Sequence, residues 1–211
     1  PEWSAQDFAE LDYPFTVFLE VPKQNLSNGP FPDVFSSAFR EQVERRCREL
    51  VAPLRDNPNL IGYHFTHNPP WHPRLSGFEQ WVKDCTRPST AGLREWAALM
   101  QKVYGSIERW RETYGTPISS WDEIERLDDP LEGYIAHGRM LEDKLAFMQR
   151  ICEEWYRVLS ESIRRHDPHH LLLGDRNSLE LIGPQNKLAK AIIALGKPVV
   201  VLLLNGRPLS V

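Results

Sequence analysis

Three cysteines, Cys47, Cys85 and Cys152, are an odd number with no short-spaced pair, which excludes both a disulfide framework and a thiolate metal site. Long apolar runs are missing as well. The longest, Pro198 to Leu204, falls far short of the roughly 20 residues a membrane span requires, and no basic-then-apolar leader opens the chain. Surplus positive charge is absent too: 29 acidic against 25 basic residues leave a formal net charge of −4, so no global field draws nucleic acid or anionic lipid. Neither is an expected partner. No serine sits in a Gly-x-Ser-x-Gly elbow and no glycines form a phosphate loop, which sets aside acyl-transfer and nucleotide chemistry. The sequence contains no internal repeat, low-complexity tract or flexible linker. It opens at Pro1 without a methionine, so its start is expected to be trimmed or cut from something longer. The expectation is a soluble protein, cytoplasmic or, with a leader removed, periplasmic or secreted.

What is present suffices for a substantial core, since 41% of the 211 residues are apolar. Four brief β-branched or aromatic segments bounded by turn residues read as buried strands: 15–21, 60–65, 170–174 and 198–204. Helical periodicity lies between them. After the candidate caps Ser36 and Ser37, apolar residues run from Phe39 to Leu54 at steps of three and four. A second stripe runs from Leu93 through Trp96, Met100, Val103, Ile107 and Trp110 to Tyr114, and a third from Leu145 through Cys152 and Trp155 to Ile163. Short helices are expected at about 120–127 and 185–195. Cys47 and Cys152 fall on apolar faces and read as core residues. Apolar strands alternating with amphipathic helices define an α/β class, a parallel sheet of about four strands with flanking helices. Residues 68–87, rich in proline and holding Trp71 and Trp81, form a long excursion directly after a strand, where α/β proteins place their sites.

Three ordered blocks, PDVFSSAFREQVERRCRELVAPLRDNPNLIGYHF, YGSIERWRETYGTPISSWDEI and EEWYRVLSESIRRHDPHHLLLGDR, resemble the agarase-like and β-galactosidase-like (β/α)8-barrel glycoside hydrolases over residues 15–176. From Asp175 onward, DRNSLELIGPQNKLAKAIIALGKPVVVLLLNGRPLSV resembles part of the C-terminal α/β-sandwich domain of family-three β-glucosidases. The two patterns meet at Asp175–Asn177, which implies a junction made by recombination, engineering or gene assembly. The resemblance implies a partial TIM-barrel-like domain over 1–176 and a helix-strand segment over 177–211 that continues the same sheet. The first two barrel strands would precede Pro1, and the seventh has no counterpart.

Barrels of this clan use an acid/base after the fourth strand and a nucleophile after the seventh, held about 5 Å apart. Where relatives carry Asn-Glu before the Trp, GYHFTHNPPW carries His67 and Asn68. Asparagine donates no acid proton, so the resemblance implies a chain catalytically incomplete by itself. A parallel sheet gathers the strand carboxyl ends at one rim. There Glu20 and Asp175 are the available carboxylates for an acid and base pair. The competing reading has Asp175 and Arg176 as an internal ion pair or cap and Glu20 solvated. Trp71 is the candidate for stacking on a pyranose ring, against a plain hydrophobic clamp, with His64, His67, Asn68 and Arg176 beside it as substrate-binding candidates. His64, His67 and His72 lack a carboxylate or cysteine to complete a metal set, so no metal or cofactor is expected. His169 and His170 precede a strand at its amino end and read as structural. The expected partner is a β-linked carbohydrate. The alternative is a non-enzymatic half-barrel module that closes its open sheet edges with a second copy or another protein. A third reading, a truncated family-three β-glucosidase, rests on residues 175–211, where no matched position carries that family's nucleophile.

Overall fold

The structure is a computed structural model that describes residues 3–21, 31–67, 85–87, 89–124 and 138–176. Among these the chain forms a parallel three-stranded sheet in the order β1-β2-β3, with β1 at Phe15–Phe18, β2 at Leu60–His67 and β3 at Leu171–Arg176. Helix α1 (Ala5–Ala9) precedes β1, held by a capping box in which Ser4 and Asp7 satisfy each other's backbone amides. Between β1 and β2 run α2 (Ser37–Arg46), a π-helical turn (Cys47–Val51) and α3 (Ala52–Leu54). Pro53 explains the π turn: it has no amide to donate and its ring crowds the carbonyl four residues back, so the ladder widens before it. Between β2 and β3 run α4 (Ala91–Tyr104), α5 (Ile107–Tyr114), α6 (Trp121–Ile124) and α7 (Arg139–His166).

The class is α/β with a parallel sheet and flanking helices, as the alternation of strands and stripes implies. Several details differ from expectation. The stripe from Leu93 to Tyr114 belongs to two helices: Gly105, at φ +74, ends α4, and the Ser106 side chain then caps α5. Strand β3 continues through Asp175 and Arg176, whereas β1 spans only Phe15–Phe18. Val103 and Leu145, expected on buried stripes, are exposed, and Cys152 is half-buried against the core. The expected strand at 198–204 and helix at 185–195 lie outside the described residues. Among the described residues no helix is long and apolar enough to cross a membrane.

One sheet face carries Val17, Leu19, Tyr63 and Phe65, all buried beneath the helices. Above it the core is aromatic. Trp155 of α7 stacks on Phe39 of α2 and on Phe31, and Phe147 stacks on Phe35 and meets Trp96 of α4 edge-on. Cys47 is fully enclosed, and burial pushes its thiol up to about 12, which makes it an inert core residue. Arg46 reaches the Leu19 carbonyl and the Tyr63 hydroxyl lies at the Val51 carbonyl, so α2 descends antiparallel to the strands. Its N-terminus therefore lies on the carboxyl side of the sheet.

Candidate functional site

The carboxyl ends of three adjacent parallel strands form one rim. Past Phe18 the chain still bonds to β2: the Leu19 amide donates to the His64 carbonyl at 2.8 Å and the Glu20 amide to Phe65 at 3.1 Å. Glu20 itself is exposed and takes φ +49, a left-handed backbone that a non-glycine residue rarely adopts. On β2, His64 is half-buried, its ring stacked on Phe18 at 4.8 Å. His67 ends β2 and pairs in register with Arg176, while His64 pairs with Gly174 across a register shift. The sheet thus brings His67, Asp175 and Arg176 to neighbouring strand ends, with Glu20 just past β1 and His64 three residues inside β2. Glu20, two residues past β1, and Asp175, on β3, lie on either side of β2, so roughly 10 Å separates their backbones. Asn68, Trp71, His72 and Trp81 lie outside the described residues. Among the described residues no three His, Cys, Asp or Glu side chains converge as a metal site requires.

Three acidic residues that the sequence reading passed over organise the described structure. Asp33 stands just before α2 and accepts from the Phe35 amide at 3.1 Å and the Gly92 amide, in the first turn of α4, at 3.1 Å. Burial pushes its carboxyl above the ordinary aspartate value despite those amides. Beside it the Cys85 thiol donates to the Pro32 carbonyl at 3.5 Å. The Asp-x-Phe-Ser pattern was a legible turn-and-cap signal, but its reach to α4 was not.

Asp143 is buried in α7, on the same stripe as Phe147 and Ile151. The hydroxyls of Tyr104 and Tyr114 both donate to it, and Arg139 lies 3.3 Å away. A carboxylate inside an apolar stripe was the signal. Burial, with Asp143 beside them, pushes both tyrosine hydroxyls above their ordinary pKa and keeps them protonated donors.

Asp167 is enclosed between α7 and β3, at the amino end of the sheet. It accepts from the backbone amides of His169 and His170, from the Tyr63 hydroxyl at 2.8 Å, and meets His170 Nδ1 at 2.7 Å. His170 Nε2 faces the Asn57 carbonyl at 3.2 Å. Burial opposes the charge, but these donors outweigh it and hold the carboxyl below its ordinary value. His169 and His170 thus serve the amino end of the sheet, opposite the rim.

No family model matches the chain. Its fold is similar to that of a solved exo-β-agarase, with a TM-score of 0.58 over 71% of this chain at 19% identity. The agarase AgWH50C aligns with a TM-score of 0.59 over 77% of the chain at 18% identity, and PfGH50B with 0.58 over 72% at 17%. The chain spans 21%, 24% and 23% of those proteins respectively. In sequence, 38 residues are 58% identical to a Beta-xylosidase of Formosa agariphila, covering 18% of this chain and 5% of that protein. At such low identity the structural likeness establishes a shared α/β fold.

Proposed function

We propose that the chain is a glycoside hydrolase-related protein that binds or acts on β-linked sugars at the carboxyl rim of its sheet, and that it is catalytically incomplete by itself. The fold shared with the exo-β-agarase over 71% of the chain carries this reading. The short match to a Beta-xylosidase, a separate comparison by sequence, supports the same class of substrate. In this reading residues 1–176 are a partial (β/α)-barrel and 177–211 continue its sheet. Trp71 offers the sugar an aromatic face, and His64, His67, Asn68 and Arg176 supply polar contacts.

Asn68 occupies the place of the acid/base, so proton donation falls to the rim carboxylates Glu20 and Asp175 if the chain cuts at all. Glu20 has support of its own: its left-handed backbone at the rim is strain of the kind that collects at working sites. The test is nitrophenol release from aryl β-galactosides, β-glucosides and β-xylosides, with binding of agaro-oligosaccharides measured alongside. Sugar binding with no turnover in the native chain is the expected result. Turnover lost in Glu20→Gln or Asp175→Asn would replace catalytic incompleteness with a working pair, and a folded sample that neither binds nor cleaves any of these sugars would end the reading.

A second reading is a non-enzymatic module that closes its sheet with a second copy or another protein. What favours it is the sheet order, which leaves β1 and β3 as outer strands among the described residues. Sedimentation decides: a stable monomer at micromolar concentration argues against self-association.

A further inference from the structure

At the amino end of the sheet the imidazole of His170 stands between two oxygen acceptors on different segments. Its Nδ1 lies 2.7 Å from Asp167 Oδ2, in the turn between α7 and β3, and its Nε2 lies 3.2 Å from the Asn57 carbonyl, in the turn between α3 and β2. A neutral imidazole has one N–H and one lone pair, so it can donate to one of these oxygens and must turn a lone pair on the other. An imidazolium donates to both. Flipping the ring does not help, because carbons would then face both oxygens. Nor does Asp167 supply the missing proton. Its Oδ1 accepts from the amides of His169 and His170 and its Oδ2 from the Tyr63 hydroxyl, and against burial these donors hold the carboxyl below its ordinary value and ionised. The proton count therefore calls for a charged ring beside a buried carboxylate.

The other groups facing this cluster keep one charge state around neutral pH. Burial pushes the Tyr63 hydroxyl and, near it, the Cys47 thiol upward, so both stay neutral. Arg164 of α7 stays cationic and donates to the carbonyls of Asp167 and His170. Asp56, beside Asn57, is exposed and paired with Arg55. His169 is exposed and meets Asp167 through its backbone amide. The His170 side chain is 16% exposed, which gives its ring access to water, and imidazole is the side chain that changes charge in this range.

We propose that His170 is a pH-sensitive lock: charged, it holds the turn before β3 to the turn before β2, and when Nε2 gives its proton to water the ring keeps Asp167 and releases Asn57. The two residues stand 113 positions apart in sequence. Nε2 is the nitrogen that lets go, since the Nδ1 contact is shorter and its acceptor is charged. A ring kept charged by contacts made only in the fold adds stability that is present at low pH and lost as pH rises through its titration. The Asn57 carbonyl also accepts from the Leu60 amide, so release loosens the point where β2 begins. The lock does not depend on the sugar reading.

The histidine ring nitrogens of the whole chain, labelled with heavy nitrogen, are followed by NMR from about pH 5 to about pH 9, with His170→Gln assigning the His170 signals. Hydrogen-exchange protection, corrected for the intrinsic effect of pH, is measured over the same range on the native chain, His170→Gln and His166→Gln, whose lost ring meets Glu44 instead. His170 is expected to carry two protonated nitrogens at about pH 6 and one at about pH 9. Protection in 57–60 and 167–171 is expected to fall about three- to tenfold across that range, while α7 at 147–159 keeps its own. The fall survives in His166→Gln and vanishes in His170→Gln, whose side chain does not titrate.

A His170 ring with one protonated nitrogen at about pH 6, or with two still present at about pH 9, overturns the proposal. A fall in protection that persists in His170→Gln, that spreads evenly over the whole chain, or that is absent from the native protein overturns it as well. If His170→Gln does not fold, the ring signals of the native chain decide alone, assigned through their contact with the Tyr63 ring, whose centroid lies 6.4 Å away.

Discussion

At the scale of single residues, buried charge sets the constraints. Asp167 is fully enclosed, yet four donors hold its charge in place. Tyr63→Phe removes one of them and is expected to cost about 1–2 kcal/mol, read as a lower urea midpoint. Because the folded Asp167 carboxyl lies below its ordinary value of 3.8, its contribution is fully present above that pH. It is lost as pH falls through the folded value. Acid unfolding should therefore be shallower below pH 3.8 in Asp167→Asn than in the native protein. Asp33, raised by burial, has the opposite sign: its contribution is present below the ordinary value and lost as pH rises through the folded one. Glu20 carries backbone strain instead. Glu20→Gly relieves about 1–2 kcal/mol of left-handed cost, partly offset by the about 0.5–1 kcal/mol that glycine loses in entropy. A melting temperature no lower than native, with weaker sugar binding, is the expected outcome. A clear drop in melting temperature would remove the strain argument for Glu20.

At the scale of elements, two glycines matter for different reasons. Gly62 lies on β2 where a Cβ would meet the Leu171 carbonyl oxygen of β3 at 2.3 Å, so Gly62→Ala has to push the strands apart. A loss of about 1–3 kcal/mol is expected in thermal unfolding. Gly105 has open space around it, and its φ of +74 is what matters. Gly105→Ala is expected to cost about 1 kcal/mol through the backbone alone, without disturbing the aromatic core. Unchanged near-ultraviolet circular dichroism would confirm that distinction. The many arginine–glutamate pairs along α2 and α7, such as Arg40–Glu154 and Arg157–Glu161, have an exposed partner and add little. The helices are held by Phe39, Phe147 and Trp155, not by these pairs.

At the scale of the whole molecule, the chain spans about a quarter or less of each solved protein whose fold it resembles. If residues 177–211 continue the sheet beyond β3, a chain ending at Arg176 exposes that strand's edge. It is expected to melt several degrees lower and to self-associate at micromolar concentration in sedimentation. Unchanged stability and a monomeric shortened chain would argue that 177–211 stand apart from the sheet.

The sequence by itself determined what is local and periodic: the α/β class, the three described strands to within a few residues, the cap at Ser36, and the aromatic stripes that α2, α4 and α7 bury. Hydrophobic spacing could not reveal the joint at Gly105, because α4 and α5 lay their stripes on one core and the period runs on across it. Only the tertiary structure decided which polar groups meet. Asp33 with Gly92, Asp143 with Tyr104 and Tyr114, and Asp167 with Tyr63 join residues 29 to 104 positions apart. Each partnership forms because burial leaves a carboxylate no water to bond, and nothing in the spacing of the chain says which donor will be folded against it.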